Sequence, residues 1–467
     1  MKELRLKEIL ECLDSEKKLD LDYNIYIKDI STDTREDLKN KIFIALEGEN
    51  FDGHNFVDEA AKKGAVVIII NKNNNNLKNN NNLKNIIRVS DTKKALIKIA
   101  TYYRSLFKIP VIGITGSVGK TTTKDMIASV LSQKYNVLKT SENLNNEIGV
   151  SKTILNLDDK HDVAVIEMGM CNFGEISELS EIIKPDIGVV TNIGVTHIEA
   201  LKTKENIFKA KLEILDGMEK DSILILNKDS DFLCDYKNNN YNIKYFGLKN
   251  KNANICAENI DSNLETSFDI VDGETKTRIK IPCLGEHSVY SALCAYLVAK
   301  QLDLSNGEII NGLSLYSPSG MRQKIVNFKD VVIIEDCYNA SPDSMKAAVK
   351  TLDKININKN NLKILVISDM LELGDISEKS HYDIGSLIAR SDINKLYCFG
   401  PFSKKYRDGA LDFGMSKDKI KYFENQDDLN DLVSALKSDI KSGNIIWFKA
   451  SRGMKLEKVL EKIYKNL

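Results

Sequence analysis

The sequence predicts an α/β protein of three domains. Three observations carry that reading. The chain has 467 residues, more than a single hydrophobic core ordinarily spans. After Pro110, short apolar runs alternate with helix-length stretches, the pattern of a mainly parallel sheet covered by helices. A second series of the same kind begins near residue 330. The divisions are expected near residues 105 and 317, giving 1–105, 106–316 and 317–467, each set to within several residues.

The first unit is the smallest α/β segment, and "AVVIII" (65–70) reads as one of its strands. The Asn-rich run "NKNNNNLKNNNNLKN" (71–85) follows; it cannot bury a core and is expected to be a surface insertion without function. In the second unit "VIGIT" is a strand and "KTTTKDMIASVLSQK" a helix, with further strands at "VAVIEMG", "IGVVTNIG" and "SILILN". The third unit repeats the alternation at "VVIIED", "KILVISD", "KLYCFG" and "IIWFKA".

Composition narrows the class. A chain that is 42% hydrophobic and 28% charged is globular, and a formal net charge of −1 supplies no bulk attraction to nucleic acid. The eight cysteines (12, 171, 234, 256, 283, 294, 337, 398) form no CxxC pair, which argues against zinc or a disulfide framework; buried free thiols in a reducing compartment are expected. "MKELRLKEIL" has no apolar core of a signal peptide, and no uncharged apolar run reaches membrane-spanning length. The expected setting is therefore the cytoplasm, without membrane insertion, and a monomer is the default.

Val111–Leu131, "VIGITGSVGKTTTKDMIASVL", carries the first chemical signal. A Walker A loop would place glycine at 114, where Ile114 stands; the glycines are Gly113, Gly116 and Gly119, directly before Lys120 and Thr121. Strand, glycine-rich loop and helix still suit phosphate binding, because glycines let backbone N–H groups close on phosphate oxygens. Lys120 would meet the β- and γ-phosphates, and the Thr121 hydroxyl Mg²⁺. Glu167 and His197 follow apolar strands, at the ends where open α/β sheets collect ligands. Glu is a hard oxygen ligand for Mg²⁺, whereas His197 alone reads more readily as a hydrogen-bonded loop histidine.

Lys211 stands out on "TKENIFKAKLEIL". At about 100° per residue it falls about 40° from Ile207, inside the apolar arc with Ile214 and Leu215. A lysine there must snorkel, find a partner or lose its charge. Reaction with CO₂ to give a carbamate would turn the cation into a carboxylate able to bind a second Mg²⁺.

"TGSVGKTTT", "EMG", "TNIGVTHIE" and "KAKLEIL" together resemble the Mur ligases, ATP-dependent amide-forming enzymes of peptidoglycan precursor synthesis, whose loop is TGxxGKT. The resemblance covers nearly the whole chain apart from the Asn-rich insertion. It implies a UDP-sugar-binding first domain, a central P-loop ATPase domain and a Rossmann-like third domain. It implies ATP and two Mg²⁺ ions, the metal held by Thr121, Glu167, His197 and carbamylated Lys211. It also implies ATP contacts at Gly116, Ser117, Gly119, Lys120, Thr121 and Thr122, and from the third domain at Arg322 and Asp336. "DCYNASPDSM" (336–345) and "DMLELG" (369–374) resemble the branch that joins D-alanyl-D-alanine to UDP-N-acetylmuramoyl-tripeptide.

For those substrates the resemblance implies Ser31, Thr32, Asp33 and Arg35 at the uridine diphosphate. It adds Asn143, Asn145 and Asn146 in a substrate loop, and Asn339 and Ser341 at the dipeptide. For Asn339 and Ser341 a turn and helix cap is an equal reading. Lys449, Ser451 and Arg452 are placed for a phosphate or carboxylate contact. Attack of the substrate carboxylate on the γ-phosphate would give an acyl phosphate, which the dipeptide amine then resolves.

Four positions depart from the family pattern: Ser288 and Ser291 replace asparagines of GxHNxxNxxAA, Ser368 replaces the first glycine of GDMLELG, and Ala450 stands in "KASR". Two alternatives therefore stay open: a superfamily ligase with another acceptor, and a nucleotide-binding scaffold without activity.

Overall fold

The computed structural model describes residues 1–13, 22–48, 51–72 and 85–466. The Asn-rich repeat falls almost wholly outside the described residues. Three α/β units are present, as the alternation of apolar runs predicts.

The first unit has a four-stranded parallel sheet, ordered Asp29–Ser31, Lys41–Ile44, Val67–Asn71, Ile86–Val89. Its last helix, Thr92–Ser105, packs on Glu147–Leu155 and Glu175–Ile183 of the second unit. Arg104 reinforces this seam, donating from Nε to the Ile183 carbonyl at 2.9 Å. One apolar cluster, from Leu4 through Ile99 to Leu233, runs across both units.

The second unit holds a nine-stranded sheet ordered Val137–Lys139, Val163–Glu167, Val111–Thr115, Ile187–Val190, Ile223–Asn227, Asn242–Gly247, Ile255–Ser262, Thr266–Asp272, Thr275–Ile281. The first seven strands are parallel, and the last two extend the sheet antiparallel from Ile255–Ser262. The extension is absent from the sequence-based expectation. Thr266–Asp272 alternates buried and half-buried positions, the mark of a strand with one face open. Helices Lys120–Leu131, Glu286–Gln301 and Asn306–Ser314 cover the other face of the parallel strands.

The third unit has six strands in the order Lys324–Phe328, Val331–Asp336, Ile445–Lys449, Lys363–Ser368, Lys395–Phe399, Ile420–Phe423, all parallel except the first pair. Both of its faces are covered, which is why these strands read as unbroken apolar runs. Five cysteines are buried as expected, but Cys171 is exposed and lines the central cleft. Among the described residues no helix is long and apolar enough to cross a membrane.

Candidate active site

Sheet topology places the site. Val111–Thr115 has Val163–Glu167 on one side and Ile187–Val190 on the other, so the chain switches direction around it. Register sets Glu167 opposite Ile114 and Val190 opposite Thr115. The loops that leave these three carboxyl ends must therefore converge, at the position where open α/β sheets bind ligands.

The glycine loop is shaped by close approach. Gly116 has φ 146°, and a Cβ there would collide with Thr191 Oγ1. Thr191 Oγ1 in turn donates to the Val118 carbonyl at 2.7 Å. Asn192 Oδ1 accepts from Ser117 N at 3.1 Å and from Val118 N at 2.9 Å. Those two amides are spoken for, which leaves the amides at the start of helix Lys120–Leu131 to face an anion. Lys120 folds back, donating to the Gly116 carbonyl at 2.7 Å. Burial lowers its pKa, opposed by the nearby Glu167 carboxylate. Thr121 is buried beside it.

Glu167 is 1% exposed, and its Oε1 accepts from Asn145 Nδ2 at 2.9 Å. Its Oε2 is buried with no hydrogen-bond partner among the described residues. Lys211, on helix Lys204–Leu212, is 0% exposed, and its Nζ also has no hydrogen-bond partner among the described residues. Snorkelling is thus excluded. Burial, and after it the Lys120 cation, hold the Lys211 pKa well below that of an ordinary lysine. His197 occupies the N-cap position of the short helix Ile198–Leu201 with φ 65°, and its Nδ1 lies 3.2 Å from Glu372 Oε2 of the third unit.

A cleft of about 1080 Å³ opens between the second and third units. Ser117, Gly119, Lys120, Thr121, Thr122, Asn143, Asn145, Asn146, Glu167 and His197 line it from one side; Arg322, Asp336, Asn339 and Ser341 line it from the other. Lys211 lies outside the lining, buried near Lys120 and Cys171.

Several expected residues have structural partners. Asp336 and Lys449 are register neighbours on parallel strands and form a buried ion pair, with Lys449 Nζ 2.7 Å from Asp336 Oδ2. Lys449 thus meets a carboxylate of its own unit, that of Asp336. The Arg322 guanidinium lies 3.7 Å from the centre of the Tyr338 ring, and that of Arg452 lies 5.4 Å from the same centre. Ser451 Oγ accepts from Leu371 N at 3.0 Å. Ser341 caps helix Pro342–Lys354, and Asn146 caps helix Glu147–Leu155, accepting from Gly149 N at 2.9 Å. Asn339 Oδ1 accepts from Ala340 N at 2.8 Å.

The first-unit residues lie away from the cleft lining. Ser31 Oγ bonds the Asp33 carbonyl and Glu36, and Asp33 holds Arg35 in a paired contact that pushes the Asp33 carboxyl down to about 2. Thr32 sits half-buried in that turn. The serines of the departed motif are buried: Ser291 Oγ accepts from Thr123 at 3.0 Å, and Ser288 donates to the Gly285 carbonyl at 2.7 Å. Ser368 donates to the Phe399 carbonyl, and Ala450 is buried in the third-unit core.

Sequence reading missed Asn192, Tyr338 and Glu372. All three lie inside quoted motifs, but their contacts join loops or domains far apart in the chain and leave no periodic trace.

Among the described residues no group of three or more His, Cys, Asp or Glu side chains is disposed to hold a metal ion. Mg²⁺ suits this cleft nonetheless, since it is commonly held by one or two carboxylates with substrate phosphates and water. The orphaned Glu167 Oε2 is a hard, ionisable oxygen of the right kind.

Fold and cleft together define an α/β protein whose P-loop-type unit faces a second α/β unit. Family profiles agree: the Mur ligase family catalytic domain matches residues 26–104, the Mur ligase middle domain 114–299, and the Mur ligase glutamate ligase domain 321–452. The chain is 37% identical to the UDP-N-acetylmuramoyl-tripeptide–D-alanyl-D-alanine ligase of Bacillus subtilis (strain 168), with 94% of each chain covered. It is similar in structure to MurF from Acinetobacter baumannii, at a TM-score of 0.89 and 28% identity over 100% of both chains. A MurF ligase from Thermotoga maritima in complex with ADP matches at a TM-score of 0.82 and 27% identity, covering 94% of this chain and 97% of that one. The chain belongs to the Mur ligase family.

Proposed function

We propose that the protein is the ATP-dependent ligase that joins D-alanyl-D-alanine to UDP-N-acetylmuramoyl-tripeptide in peptidoglycan precursor synthesis. One observation carries this reading beyond the family: the cleft brings the glycine loop, Glu167 and His197 together with Arg322, Asp336 and Asn339 of the facing unit. An amide ligase needs both a phosphate cradle and a place for an acyl group and an amine, and two facing units supply them.

ATP is the phosphoryl donor in this reading, at Gly116, Ser117, Gly119, Lys120, Thr121 and Thr122, with Arg322 and Asp336 reaching it from across the cleft. The substrate carboxylate attacks the γ-phosphate, giving an acyl phosphate and ADP. The dipeptide amine then attacks the acyl carbon and phosphate leaves. Lys120 neutralises phosphate charge as it shifts to the leaving ADP. Closure of the third unit over the cleft keeps water from the acyl phosphate.

Thr121, Glu167 and His197 would hold Mg²⁺, which supplies charge neutralisation at the phosphates. Lys211 would take up CO₂: the neutral amine attacks carbon, a proton leaves, and a carbamate anion results. Burial and the Lys120 charge support this, because both favour the neutral nucleophilic amine. Two ions are the stoichiometry this ligand set suits.

Asn143, Asn145, Asn146, Asn339 and Ser341 are the proposed substrate contacts. Ser31, Thr32, Asp33 and Arg35 remain the candidates for uridine diphosphate, which requires Arg35 to leave Asp33. We place the domain divisions at 105/106 and 316/317. A cytoplasmic monomer fits an enzyme that consumes ATP.

The test is phosphate release with ATP, Mg²⁺ and UDP-N-acetylmuramoyl-tripeptide, with and without D-alanyl-D-alanine. Release that needs both substrates, with a pentapeptide product by mass spectrometry, is expected. Release independent of the dipeptide would refute the acceptor assignment.

A further inference from the structure

One contact across the cleft has no part in that scheme. His197 and Glu372 belong to different units, the first after strand Ile187–Val190 and the second after strand Lys363–Ser368. His197 Nδ1 lies 3.2 Å from Glu372 Oε2, and the histidine side chain is only 18% exposed. Both residues adopt left-handed backbone, φ 65° for His197 and φ 63° for Glu372. That conformation is disfavoured for residues with a Cβ and persists where surroundings enforce it. The loops also pack next to this contact: a Cβ on Gly374 would sit 3.3 Å from Glu199 Cγ.

A carboxylate can only accept, so the imidazole nitrogen facing Glu372 must carry the hydrogen. With Nδ1 as donor, the neutral ring holds its lone pair on Nε2. That is the tautomer a histidine needs to bind a metal through Nε2, and carboxylate–histidine pairs of this kind fix ring orientation.

We propose that Glu372 is a positioning residue that orients His197 as a metal ligand and does so only when the third unit closes on the second. The inference rests on the metal role proposed for His197. Because the acceptor comes from the facing unit, which the proposed closure would move, opening the cleft frees the ring to rotate and weakens the metal site. By linkage, divalent metal then favours the closed arrangement by the same factor that closure favours metal.

The test uses the full-length protein with ADP and Mn²⁺ as the probe, read by electron paramagnetic resonance. Glu372→Ala is expected to weaken Mn²⁺ binding to the protein–ADP complex by roughly 10-fold, within the range for loss of a ligand-orienting partner. ADP affinity in EDTA is expected to stay within about twofold. Glu372→Gln keeps an acceptor in place and is expected to restore most of the Mn²⁺ affinity. His197→Ala should lose at least as much, and adding Glu372→Ala to it should cost nothing further. Small-angle scattering should show Mn²⁺ compacting the wild-type ADP complex more than the Glu372→Ala complex. If His197→Ala weakens Mn²⁺ binding and Glu372→Ala does not, the positioning role is refuted while the metal role of His197 stands. If His197→Ala has no effect, the metal role falls and the inference falls with it.

Discussion

Replacing Lys211 by methionine should make the metal-free protein more stable while abolishing ligation. Lys211 is fully buried between Ile207 and Ile214, and its Nζ has no hydrogen-bond partner among the described residues. An unsatisfied buried polar group costs about 1–3 kcal/mol, and methionine keeps most of the length without the amine. In a unit of this size each kcal/mol moves Tm by about 2–4 °C, so Lys211→Met should raise the transition by roughly 2–12 °C in CO₂-free buffer.

The pH dependence is a sharper check. Unfolded lysine titrates near about 10.4, and burial holds the folded pKa well below that. Between the two values the unfolded chain binds the extra proton, so wild-type stability rises with pH, by up to about 1.4 kcal/mol per pH unit. Differential scanning calorimetry at several pH values should show the advantage of Lys211→Met shrinking as pH rises. Bicarbonate should shift the wild type and leave the variant unmoved. A lower Tm for Lys211→Met, with an unchanged pH slope, would refute the claim that the amine is buried and unpaired.

Three further outcomes are expected. Gly116→Ala should weaken ATP binding at least 10-fold by calorimetry, because its Cβ meets Thr191 Oγ1 and its φ of 146° suits glycine. Asp336→Ala should cost about 3–5 kcal/mol in urea unfolding by stranding buried Lys449, and adding Lys449→Met should recover most of it; equal losses in single and double variants would contradict the pairing. His381 is buried neutral, its Nε2 accepting from Met370 N at 3.0 Å, and burial depresses its pKa. The unfolded state therefore takes up protons first as pH falls below about 6.5, and stability should drop there by up to about 1.4 kcal/mol per pH unit. Burial raises the pKa of neighbouring Asp369, which offsets part of that loss at lower pH. His381→Phe should flatten the drop near pH 6, while losing about 1–3 kcal/mol at pH 8 through the unbonded Met370 amide.

Much of the fold was legible in the chain because buried parallel strands read as short apolar runs. Val163–Glu167, Ile187–Val190 and Lys363–Ser368 fall where those runs stand. The antiparallel strands from Ile255 to Ile281 were not legible, since their half-open faces dilute the apolar signal. Lys211 was found because helical periodicity is local: a lysine in an apolar arc is visible without knowing what covers the arc. Glu372, Asn192 and Tyr338 act through contacts across units or between loops, and no spacing in the sequence encodes those.

The sequence by itself determined the three-part α/β architecture, the phosphate-type loop and the buried lysine, because each depends on side-chain period or on neighbours a few residues away. Only the tertiary structure decided which candidates share the cleft. It tied Lys449 to Asp336 through strand register, turned Ser341 and Asn146 into helix caps, and set Glu372 against His197. Those outcomes depend on which strands lie side by side and on how one unit faces another, and that geometry comes into being only when the sheets assemble.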